Sequence, residues 1–173
     1  MEELLSQPTR RRIYDAVGGH PGASAREVQR IVGLGWGETA YHLEQLTKGG
    51  ALRRERGGRR DYYFRAEMTW DDRKLFLTLR SATARRLLLV LCESPGLTLA
   101  ELRERADISL STASFHLRYL LSQGHVEGVR DANLRRYRTV RPDRVAELLA
   151  LYRDSFRDQL VERFVEAWSS LLP

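Results

Sequence analysis

With 173 residues, 42% of them apolar, the chain suffices for one ordinary domain or two small ones. Its single cysteine, Cys92 in the run LLLVLCES, excludes an intrachain disulfide framework, and no run nears the roughly 18 apolar residues of a membrane span or the apolar core of a signal peptide, so a soluble, cytoplasmic protein with no membrane partner is expected. The net charge is +6, and of 29 basic residues only Lys48 and Lys74 are lysine; arginine's planar fork suits phosphates and guanine edges better than lysine does.

Taken in chain order, the first predicted helix runs from about Thr9 to Val17 and stops before Pro21-Gly22. Ser24 then stands at an N-cap position with Glu27 three residues on, a capping-box pattern, and opens a short helix to Val32. After a turn at 33–35 a third helix, with apolar Tyr41, Leu43 and Leu46, runs to Gly49 and is stopped by Gly50. Strands at 51–56 and 61–65 around a polar tip form a β-hairpin. Residues 67–78 lack Gly and Pro and read as a semi-rigid link, helical from Asp71 or Asp72 as N-cap.

The same set then recurs. A helix from Thr83 to Cys92 stops before Pro95-Gly96, Thr98 with Glu101 repeats the capping box, and a second helix ends at Ala106. A turn at 107–109 leads into a third helix that carries Phe115, Leu117 and Leu120 and stops at Gly124, followed by strands at 126–130 and 135–140. Every match lies 74 residues from its counterpart without a gap: Thr9 with Thr83, Glu27 with Glu101, His42-Leu43 with His116-Leu117, Gly50 with Gly124 and Tyr63 with Tyr137. Two copies of one fold follow.

After Pro142 the pattern becomes one long amphipathic helix, with Val145, Leu149, Tyr152, Phe156, Leu160, Phe164, Trp168 and Leu171 at helical spacing. At about 1.5 Å per residue it would span roughly 40 Å, more than one small domain can cover. A homodimer interface through Leu149, Tyr152, Phe156, Leu160, Phe164 and Trp168 is therefore expected, with packing on the chain's own domains as the alternative. The expected architecture is mainly α with small β-hairpins: two tandem winged helix-turn-helix domains at 1–67 and 68–141, then a C-terminal helix at 142–173.

The run Leu5-Ser6-Gln7-Pro8-Thr9-Arg10-Arg11-Arg12-Ile13, the repeated His-Leu-x-x-Leu cores and the Gly-x-x-x-x-Tyr-Tyr spacing in the first hairpin resemble winged-helix regulators of the ArsR type. The run Gly35-Trp36-Gly37-Glu38-Thr39-Ala40-Tyr41-His42-Leu43 looks like archaeal members of that superfamily, some of which carry two such domains. The resemblance covers about residues 5–140 and implies a repressor or activator that binds double-stranded DNA.

Charge placement supports that expectation. Residues 51–66 carry +4 and residues 125–141 carry +3, so the two hairpins hold more than the whole chain's net charge. Arg53, Arg54, Arg56, Arg59 and Arg60, with Arg130, Arg135, Arg136 and Arg138, are the candidate phosphate contacts, joined by His42 and His116 at matching helix positions, for which a half-buried role in the fold is the alternative. Base reading is expected from Ser109, Leu110, Ser111, Thr112, Ser114 and Arg118, a set of hydroxyls, one apolar contact and an arginine. In the first copy Trp36, Gly37, Glu38 and Tyr41 are the corresponding base-reading candidates, but Glu38 and Glu44 on that face would repel phosphates unless Glu38 accepts from a cytosine amino group, so the first domain is expected to lean on its basic hairpin as a phosphate clamp.

Catalysis is not expected, because no nucleophile motif, paired carboxylates, phosphate-binding loop or metal spacing occurs; no cofactor, metal or small-molecule effector is indicated. The alternative is a tandem winged-helix protein-interaction module of a chromosome or transcription complex, which would need no arginine cluster on its hairpins.

Overall fold

In each half of the chain the local signals build three helices and a hairpin. The structure, a computed structural model, describes residues 2–156 and 159–170; Leu171, the last position of the expected C-terminal stripe, lies outside the described residues. The chain divides into two compact units, Met1–Leu77 and Thr78–Pro173, with the segment after Pro142 inside the second. The first unit contains α1 (Glu2–Leu5), α2 (Pro8–Gly19), β1 (Ala23–Ser24), α3 (Ala25–Val32), α4 (Trp36–Lys48), β2 (Leu52–Gly57) and β3 (Arg60–Arg65). The boundary falls within α5 (Trp70–Leu79). The second unit contains α6 (Ala82–Glu93), α7 (Leu99–Arg105), α8 (Leu110–Ser122), β4 (Val126–Asp131), β5 (Leu134–Thr139), α9 (Pro142–Leu151) and α10 (Gln159–Ser169).

Both capping boxes form. Ser24 and Thr98 receive the backbone N–H of Glu27 and Glu101, whose carboxylates accept in return from the Ser24 and Thr98 N–H groups, each at 2.8 Å. Gly50 and Gly124, at φ 74° and 72°, let the chain leave α4 and α8, and the next residues close matching bonds from Ala51 N to Leu46 O and from His125 N to Leu120 O. Arg11 and Arg85, one repeat apart, donate to the carbonyls of Leu5 and Leu79. The equivalence thus reaches individual hydrogen bonds.

In the first unit the sheet order is β1-β3-β2, all antiparallel, with Leu52 opposite Arg65 and Gly57 opposite Arg60. The short β1, pairing Ala23 with Tyr63, was not foreseen; its counterpart is the single bridge between Leu97 and Tyr137. The hairpin β4–β5 pairs Val126 with Thr139 and Asp131 with Leu134. Ile13, Val17, Val28, Leu43, Leu46 and Leu52 fill the first core. The link is helical as expected, but Thr69 rather than Asp71 or Asp72 caps it, accepting from the Asp72 N–H at 3.2 Å. Arg73 on α5 pairs with Glu55 of β2 at 2.7 Å, and Phe76 meets Phe64 edge-on at 6.2 Å.

Residues 142–170 depart from the expected single helix. The backbone leaves helical geometry at Tyr152, passes through a 3₁₀ turn at Arg153–Ser155, and α10 packs back on α9 and α6. Leu149, Phe156 and Phe164 of the stripe assigned to a second copy are thereby buried in their own unit, together with Val161 and Val165, while Tyr152, Leu160 and Trp168 are half-buried. The physical reason is area: a straight helix would leave the stripe in water, and reversal removes it without a partner. Cys92, bonded from Sγ to Thr139 Oγ1 at 3.6 Å, has its thiol pushed up to about 11 by burial.

One position differs usefully between the copies. The tip of the first hairpin turns at Gly58, φ 66°, whereas the matching residue of the second is Ala132 at φ 51°. A side chain in the left-handed region costs about 1–2 kcal/mol, against about 0.5–1 kcal/mol of extra unfolded-state freedom for glycine. Ala132→Gly is therefore expected to stabilise the second unit by roughly 0.5–1 kcal/mol. The check is the urea midpoint, and a lower midpoint would refute the strain argument. No described helix is long and apolar enough to cross a membrane.

Candidate nucleic-acid interface

α4 and α8 each turn one flank into the core and the other outward. Thr39, His42, Leu43 and Leu46 are buried on α4, as are Ala113, Leu117 and Leu120 on α8. Tyr41 and Phe115, counted with the apolar positions in the sequence, point outward and are 52% and 63% exposed. Consecutive residues on a helix are about 100° apart, so a residue two before a buried leucine lies nearly opposite it. That spacing was the available signal for placing Tyr41 and Phe115 outside.

His42 requires a correction. It is 6% exposed, lies edge-on to Tyr41 at 5.1 Å, and is enclosed by its unit, so it is not available to a phosphate. His116 is half-buried with the same arrangement against Phe115 at 5.3 Å.

On α8 the expected reading residues share the outer face, though not all are equally at liberty. Ser109 is the N-cap, accepting from Thr112 N at 3.1 Å, with its hydroxyl also bonded to those of Ser111 and Thr112. Leu110, Ser111 and Arg118 are exposed and Ser114 is half-buried, and no carboxylate lies on this helix. On α4 the counterparts of Leu110, Ser114 and Arg118 are Trp36, Ala40 and Glu44. Trp36 is stacked by Arg26 of α3 at 3.9 Å, a cation–π contact that the sequence did not reveal. Glu38 and Gly37 are exposed, and Glu44 pairs with Lys48 at 2.7 Å, which holds its carboxyl below the usual range. The repulsion expected from Glu44 is thus partly offset within the helix. Between α3, α4 and the first hairpin lies a cleft of about 800 Å³ whose charged lining includes Arg26, Arg30, Glu44, Lys48, Arg54 and Arg60.

The two hairpins are not equivalent in charge. Arg53, Arg56, Arg59 and Arg60 are exposed, with no acidic partner among the described residues, while Arg54 lies 3.8 Å from Asp61. Glu55, one of two acids in this hairpin, is neutralised by Arg73. In the second hairpin Arg136 pairs with Asp131 at 2.9 Å, approaches Glu101 at 3.8 Å and donates to Gly96 O at 3.0 Å. Arg138 is paired with Glu127. Arg130 is exposed without an acidic partner among the described residues, and Arg135 lies over the Tyr137 ring at 5.7 Å. Of the sequence's nine hairpin candidates, Arg54, Arg136 and Arg138 are thus ion-paired with acids of their own hairpins, Arg54 at the longest distance. Among the described residues no cluster of His, Cys, Asp and Glu could hold a metal ion.

Residues 7–76 match the family described as an N-terminal HTH domain, and residues 79–129 match a helix-turn-helix domain family. The chain is 26% identical over 132 residues to the uncharacterized HTH-type transcriptional regulator MJ1398 of Methanocaldococcus jannaschii, an alignment that takes in 76% of the chain and spans about a third, 33%, of that relative. Among solved structures it is similar to the transcriptional regulator SlyA, with 20% identity, coverage of 56% and 78% of the two chains and a TM-score of 0.36. It is also similar to the multiple antibiotic-resistance repressor MarR of Listeria monocytogenes, with 14% identity, coverage of 79% and 77% and a TM-score of 0.37. With one family match in each half, the chain carries two helix-turn-helix domains in tandem.

Proposed function

We propose that the chain is a non-enzymatic, DNA-binding transcriptional regulator of the ArsR-like kind. α8 reads base edges in the major groove, α4 sits against DNA with less selectivity, and the hairpins run along adjacent phosphates. The observation that carries this reading is an acid-free outer face on α8, with Ser111, Ser114 and Arg118, in a chain whose first hairpin presents Arg53, Arg56, Arg59 and Arg60 exposed and without acidic partners among the described residues. With a reading helix and a second DNA-facing helix on one chain, an extended site is expected. A protein-contact reading draws on one specific observation, the exposure of Leu110, Phe115 and Tyr119 on the same helix.

Selection of bound duplexes from random DNA, followed by gel shifts, separates the two. Arg118→Ala, or Ser111 and Thr112 changed together, is expected to cost about 1–3 kcal/mol on the selected site and much less on random duplex. No binding to any duplex at low salt would remove the DNA reading and leave the protein-contact one.

A further inference from the structure

Three arginines border a cavity of about 330 Å³ in the second unit, between α6 (Arg85, Arg86, Leu89), the turn before α8 (Ile108) and α10 (Leu160, Arg163). Arg85 is already committed, donating to Leu79 O at 2.6 Å and lying over the Phe156 ring at 5.6 Å. Arg86 and Arg163 have no acidic partner among the described residues, and no carboxylate is among the described residues that line the cavity.

The internal repeat supplies a comparison. Arg12, the counterpart of Arg86, donates to Val32 O at 2.7 Å and so serves the end of α3. Arg86 makes no such bond to the corresponding carbonyl of Ala106 among the described residues, and it lines the cavity instead. The first unit has no counterpart of α10, so the cavity belongs to the second unit alone.

We propose that this cavity binds a small organic carboxylate with an apolar body. Two guanidinium forks suit the planar carboxylate, and Leu89, Ile108 and Leu160 cover the hydrocarbon. The volume falls within the roughly 300–1,000 Å³ of small-molecule sites. Because Ile108 directly precedes Ser109, the N-cap of α8, an occupant touches the turn that aims that helix.

The test is calorimetric titration of the full chain with benzoate and phenylacetate, beside uncharged benzamide. Saturable binding of the two carboxylates at millimolar concentrations is expected, with none for benzamide. Arg86→Ala and Arg163→Ala should each weaken it on the order of tenfold, and Arg163→Lys should retain part of it. Arg163 is exposed, so its replacement leaves the core intact, and far-ultraviolet circular dichroism of each variant verifies the fold. Absence of saturable heat, equal binding of benzamide, or indifference to both alanine variants would overturn the proposal. The titration contains no DNA, so its outcome stands apart from the DNA-binding reading.

Discussion

Phe164→Ala is expected to destabilise the second unit by about 3–5 kcal/mol, because it removes a fully buried ring from the seam that α10 makes with α9 and α6. Domains of this size hold about 5–15 kcal/mol in total, so the loss is a large share. At about 4–8 °C per kcal/mol, the melting temperature should fall by more than roughly 12 °C. Trp168→Ala, on the same helix but half-buried, should cost clearly less. Thermal melts followed by circular dichroism distinguish the two. Unchanged melting of the Phe164 variant would mean that α10 is not docked in solution, returning the C-terminal stripe to the role of an interface with a second copy.

Replacing Arg53, Arg56, Arg59 and Arg60 together by alanine should produce the largest functional effect. If each meets one phosphate, the slope of log K against log salt flattens by about 0.9 per contact, or roughly 3–4 in all, and affinity at 0.1 M salt falls on the order of a thousandfold. The loss should be similar on selected and random duplexes, because phosphate contacts carry no sequence information directly. Arg136→Ala with Arg138→Ala is the matched comparison: those side chains are held by Asp131 and Glu127, so the slope should change little. Binding measured across a salt series checks both, and an unaltered slope in the fourfold variant would place the DNA elsewhere.

Much of the fold was legible because its determinants are local. Ser24 with Glu27 and Thr98 with Glu101 announce helix starts through hydrogen bonds made within four residues, and Gly50 and Gly124 mark helix ends through a backbone requirement of their own. The turn at 152–156 was not legible, since Tyr-Arg-Asp-Ser-Phe contains neither Gly nor Pro and the apolar period runs straight through it. Periodicity reports which face is apolar, but not whether the helix folds back to bury that face or offers it to another chain.

The candidate interface was legible as composition and much less so as geometry. That arginines cluster on the hairpins could be counted, whereas the pairing of Arg136 with Asp131 and of Glu55 with Arg73 depends on strand register and on α5, which only the folded chain supplies. His42 illustrates the same limit. Its polar type suggested a phosphate contact, while its place between buried Thr39 and Leu46 on one helical flank put it inside.

The state of Cys92 has a practical consequence for studying this chain. Burial pushes its thiol up to about 11, so the reactive thiolate is scarce at neutral pH. The single sulfhydryl of this sequence is therefore expected to react slowly with maleimides and disulfide reagents. A cysteine placed at an exposed hairpin position such as Arg59 would react alone, so fluorophores or spin labels can be attached there without first removing the native residue.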